Sequence, residues 1–149
     1  MTAPSNPWLI AGAAGCGVAA LAHLAVIAGG PDWYRWFGAG EPMARAAERG
    51  NLIPAIAAVG IAAALALSSS YALAGAGLIG RLPLMRLALV VISAILLGRG
   101  LAVLVPGAWR PDLTFAFKLW SSLIVLALGA CYALGTWQAW PALSNRSPG

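Results

Sequence analysis

The chain has 149 residues, of which 61% are hydrophobic and 9% charged, with a formal net charge of +5. A soluble domain carries about 25% charged residues, so a water-covered globule of this composition is excluded and a bilayer-embedded protein is expected. The basic residues are scattered with no run of five or six, which argues against a nucleic-acid partner and leaves anionic lipid as the natural counterpart.

The start of the chain, MTAPSNPW, lacks Lys and Arg, and the apolar run after it is longer than a secretory h-region. Residues 9–29 are therefore read as a retained first span. Three more stretches of suitable length follow at about 52–74, 84–105 and 115–139. The expected fold is an all-α, four-transmembrane-helix bundle, a single membrane domain over 1–149. Both termini then share one side, and loops 1 and 3 share the other.

Tryptophan placement agrees. Trp8, Trp137 and Trp140 fall on the terminal side, and Trp33, Trp36, Trp109 and Trp120 on the loop side, as an aromatic belt requires. Five basic residues near loops 1 and 3 (Arg35, Arg45, Arg49, Arg110, Lys118) oppose three on the terminal side (Arg81, Arg86, Arg146). That asymmetry favours loops 1 and 3 in the cytoplasm of a bacterial-type inner membrane.

In span 1 the small residues Ala11, Gly15 and Ala19 form one stripe leading to His23, and Gly12, Cys16 and Ala20 form another. Spacing of four lets helices approach closely, and a dimer seam or a narrow polar path ending at His23 is the sharper alternative. Loop 1 opens with PDWYRWF, read as an interfacial anchor. Its next part, GAGEP, reads as a hinge and helix start, so that residues 42–49 form a short amphipathic helix ended by Gly50-Asn51. Asn51 is expected to act as a cap. LAVIAGGPDWYR (24–35) echoes LAVLVPGAWR (101–110). The echo suggests two hairpins related by a parallel repeat, although Ala/Leu/Val-rich segments also match by chance.

Two ionisable residues, His23 and Arg99, lie within apolar spans. An arginine there costs at least ~2.5 kcal/mol on insertion scales and normally finds a partner. Counted from Gly29 and Pro106, both residues are expected roughly 10 Å inside the loop boundary, at similar depth. The four acids, Asp32, Glu41, Glu48 and Asp112, lie on the same side. Glu41 is the preferred partner of Arg99 and Asp112 the second choice, with snorkelling of Arg99 to lipid phosphate as the competing account. The candidate binding residues are thus His23, Asp32, Arg35, Glu41, Arg99 and Asp112. Lys118 reads as an interfacial anchor.

No nucleotide-binding, zinc-protease, haem or nucleophile-elbow motif occurs, and SSSY (68–71) has no catalytic spacing. One histidine and two distant cysteines, Cys16 and Cys131, give no basis for a metal site, and no cofactor is expected. The run MARAAERGNLIP (43–54) resembles the opening of the second span in the membrane glutathione-transferase superfamily, whose members are also four-span proteins of this size. Arg45, Arg49, Asn51 and Pro54 match that pattern over about a dozen residues, but its glutamate is missing, so no glutathione site is implied. DoxX-like membrane proteins share size and span count alone. Three function classes follow. The first is a small-molecule or lipid-binding module or accessory subunit with a polar pocket between loops 1 and 3. The second is an oligomeric transporter or channel for an anion or proton. The third is a membrane enzyme acting on a lipophilic substrate. The partners expected are the bilayer, a lipophilic or anionic small molecule and a second copy of the chain.

Overall fold

A computed structural model describes residues 5–105, 107–109 and 111–144, all helices and connecting segments. Arg110, Arg146, the boundary residue Pro106 and the last part of the tail, 145–149, lie outside the described residues. Four helices are long and apolar enough to cross a membrane.

Helix α1 (Pro7–Gly29) begins where sequence chemistry demands. Asn6 accepts from the amides of Trp8 and Leu9, both at 3.1 Å, and Pro7 occupies the first helical position. The same Asn6 donates through Nδ2 to the Gly135 carbonyl at 2.9 Å, tying the start of α1 to the last long helix. Gly30, at φ 71°, ends α1, and Pro31 at once starts α2 (Pro31–Trp36). The segment read as a plain anchor is therefore helical. Its aromatic role holds all the same: Trp36 is 77% exposed, and Phe37 stacks on Trp33 at 5.8 Å.

A glycine turn leads to α3 (Glu41–Glu48), one residue earlier than expected. Gly38 has φ 80°, and a Cβ there would lie 2.1 Å from Phe117 Cζ, so both conformation and contact require glycine. The α2–α3 hairpin is anchored on α1 by a small cluster of Val26, Tyr34 and Ala44. Asn51 accepts from the Ile53 amide at 2.9 Å, the expected cap, and α4 (Ile53–Gly75) follows. Arg45 and Arg49 are thus broken from α4 by 50–52. This differs from the continuous Arg-bearing second span that the glutathione-transferase likeness implied.

Helix α5 (Met85–Leu101) continues as a 3-10 turn, Ala102–Leu104. The last long helix, α6 (Phe115–Ser144), is 30 residues and extends past the expected end at 139. Helices α1 and α4 form one close pair, α5 and α6 the other, and α1 joins the pairs by packing on α6. The main core, including Leu9, Cys16, Leu89 and Tyr132, fills the terminal half. The buried stripe Gly12, Cys16, Ala20 is the packing face of α1, and Ser69 donates to the Ala13 carbonyl at 2.8 Å to bind α4 there.

Glycines fix the registers. Cβ atoms at Gly12, Gly15 and Gly135 would meet Tyr132, Leu128 and Leu9, all within 3 Å, so α1 and α6 run antiparallel with residue 12 opposite 132. Gly100 abuts the backbone of Leu126, and Gly129 abuts that of Leu97. On these registers Arg99 stands near residue 127 of α6, level with residues 16–17 of α1, close to the middle of that helix. His23 stands near residue 121, roughly 9 Å closer to the loops at 1.5 Å per residue. The equal depth expected for the two is thereby corrected. The cause is that α5 ends where expected but short of the level reached by α1 and α6: Val105, the residue before a proline, is extended (φ −98°, ψ 113°). The first turns of α6 consequently overhang the end of α5. The two ends compared by the LAV echo also part here, one running into α2 and the other into a turn.

Candidate functional site

The charged residues of loop 1 assemble into a network with Arg35 at its hub. Arg35 Nε donates to Glu41 Oε2 at 2.8 Å and Nη2 to Oε1 at 3.3 Å, a forked contact. Its other donors reach Asp32 Oδ1 at 3.0 Å and Glu48. Arg45 Nε adds a bond to Glu41 Oε1 at 2.9 Å, one helical turn away on α3. Asp112, from the far connection, accepts from the Glu41 backbone amide at 3.3 Å, so the carboxylate covers the first turn of α3. Loops 1 and 3 therefore meet.

Between them lies an open cleft of about 650 Å³, lined by Glu41, Pro42, Arg45, Arg49, Pro111 and Asp112. Arg45 and Arg49 are four residues apart and share one face of α3. Among the described residues Arg49 forms no ion pair, whereas both oxygens of Glu41 are held by arginines.

The arginine contacts set the electrostatics. Hydrogen bonds from Arg35, then Arg45, lower the Glu41 carboxyl from its usual 4.5 to about 2. The Arg35 guanidinium is pushed upward by bonds to Glu41 and Glu48. Burial raises the Tyr34 hydroxyl above its usual value. A lowered acid contributes stability in full above the unfolded value of 4.5, and that contribution is lost as pH falls through about 2. Carbon-detected NMR of the Glu41 carboxyl is expected to titrate near 2. A midpoint near 4.5 would show the network open.

The six sequence candidates are thus divided. Asp32, Arg35, Glu41 and Asp112 come together. His23 and Arg99 do not join them. His23 Nδ1 is 2.8 Å from the Ala19 carbonyl of its own helix, so it is satisfied locally rather than ending a polar path. Arg99 meets neither Glu41 nor Asp112: its guanidinium carbon lies 4.0 Å over the Trp109 ring, and among the described residues it has no ion pair. The expected Arg99–Glu41 pair fails because Arg35, six residues from Glu41 on the adjoining turn, takes the carboxylate first. The sequence reading left Arg45, Arg49, Glu48 and Trp109 out of the site. The Glu41–Arg45–Arg49 spacing of four was the available signal for the first two. On the terminal side a second arginine–tryptophan contact occurs, Arg86 at 4.5 Å over Trp140.

No family model, curated protein or solved structure matches the chain.

Proposed function

We propose that the chain spans the bilayer four times and that its loop 1/loop 3 face binds a phosphate-bearing lipid headgroup. The exterior supports the first part. Val18 and Leu21 are each 68% exposed and Ile95 63%, a surface suited to lipid rather than water. Exposed Trp36 and Trp120 mark one end, and Trp8 and Trp137 the other. The basic-residue asymmetry supports loops 1 and 3 on the cytoplasmic side.

The observation that carries the binding reading is the cleft at the foot of the amphipathic α3. Arg45 and Arg49 form one wall, and among the described residues Arg49 makes no ion pair, which suits it to an anion. The transporter and enzyme readings stand second, because His23 and Arg99 do not converge on a shared point.

In nanodiscs of mixed phosphatidylglycerol and phosphatidylcholine, the purified chain is expected to retain phosphatidylglycerol preferentially in native mass spectrometry. Arg49→Gln is expected to cut that preference about fivefold, the effect of one basic residue beside an anionic surface. Equal retention by wild type and variant would refute the assignment.

A further inference from the structure

We infer that Arg99 and Trp109 form a second oxyanion site, set in the flank of the bundle near mid-height and separate from the surface cleft. The inference rests on the reading that the four helices cross a bilayer, and it goes beyond the headgroup cleft. Three observations carry it. The helix registers put Arg99 level with residues 16–17 of α1, the middle of a 23-residue helix. Arg99 is exposed at the side of α5 and, among the described residues, makes no hydrogen bond or ion pair. The indole Nε1 of Trp109 is buried and likewise lacks a hydrogen-bond partner.

A charge at that depth requires a partner. The Trp109 ring cannot fill that role completely. It takes the face of the guanidinium, while the N–H donors lie in the guanidinium plane and stay available at its edges. A second copy cannot supply the counter-charge from an acidic side chain: all four, Asp32, Glu41, Glu48 and Asp112, sit in loops 1 and 3 at the end of the bundle. The planar fork matches a carboxylate or a phosphate. An oxyanion carried by a single-chain amphiphile reaches the site sideways from the lipid, and free phosphate reaches it from the loop face.

The test uses the full chain in phosphatidylcholine nanodiscs, with two probes. One is palmitate bearing a diazirine beside its carboxyl group, and the other is radiolabelled inorganic phosphate. For an amphiphile, photo-crosslinks on wild type are expected to concentrate in the peptide spanning 97–109. For a free anion, phosphate is expected to bind and to suppress those crosslinks. Arg99→Gln is expected to lower crosslinking in the 97–109 peptide, or its suppression by phosphate, at least about tenfold, the effect of losing a charge-assisted contact. Arg99→Lys keeps the charge without the fork, guards against a folding failure, and is expected to fall between. Arg86→Gln, which removes the arginine–tryptophan contact on the terminal side, is expected to leave capture at 97–109 unchanged. Absence of capture in both arms, or capture indifferent to Arg99→Gln and Arg99→Lys, would overturn the site alone. Release of wild type from membranes by alkaline carbonate would overturn the spanning reading and the site with it.

Discussion

Gly129→Leu is expected to lower the stability of the bundle by about 3 kcal/mol or more, at or beyond the upper end for overpacking. A Cβ at Gly129 would lie 2.8 Å from the Leu97 backbone nitrogen, and one at Gly100 the same distance from the Leu126 backbone. Backbone atoms cannot rotate aside as side chains do. The substitution must therefore push α5 and α6 apart along their whole contact, and these two helices form one of the two close pairs of the fold. Gly60→Ala is the contrasting case. Nothing lies within 4 Å of a Cβ there, so the change is expected to be neutral, or stabilising by about 0.5–1 kcal/mol through the entropy of the unfolded chain. Reversible unfolding in mixed detergent micelles measures both. A loss at Gly60 equal to that at Gly129 would show that the outer face of α4 is itself packed against a second copy.

Arg35→Met is expected to release the α2–α3 hairpin while leaving the long helices intact. The variant keeps much of the aliphatic stem but leaves Asp32, Glu41 and Glu48 without their common cation, and three neighbouring acids then repel one another. Amide hydrogen exchange over 31–49 is expected to speed up at least about tenfold, with protection in α5 and α6 unchanged. Arg35→Lys is expected to recover only part of the protection, because an ammonium cannot reproduce the fork onto Glu41. Unaltered exchange in Arg35→Met would mean that Val26, Tyr34 and Ala44 hold the hairpin by apolar contact alone.

The long helices were readable because twenty-residue apolar runs have few alternatives. Within loop 1, α3 was readable from Pro42 beside Glu41, followed by Gly50. Helix α2 carries the same kind of signal, Gly30 before Pro31-Asp32, but its six residues are too short and too aromatic for periodicity to show. The end of α5 before Pro106 was legible, but its height against the other helices was not. On the register set by Gly100 and Gly129, α6 begins about six residues beyond the level of Val105, so the same count back from Pro106 puts Arg99 deeper than His23.

The site was legible in composition but not in pairing. All four acids were expected on the loop side with Arg35, and the fold gathers them there. Which cation reaches Glu41 depends on the turn made by Gly38 and Gly40, both at positive φ, which brings α3 back beside α2. Sequence spacing does not encode that geometry directly. Charge alone points Arg99 to an acid or to lipid phosphate, whereas its neighbour is the aromatic face of Trp109.

A lipid headgroup held in the loop 1/loop 3 cleft is read out by NMR of the chain in nanodiscs containing phosphatidylglycerol with a nitroxide attached to its headgroup. Relaxation enhancement is expected to peak at the amides of 41–49 and of Asp112, and to fall to the level of the rest of the loop face in an Arg45→Gln, Arg49→Gln double variant. Enhancement spread evenly around both tryptophan girdles, and unchanged in the double variant, would contradict it.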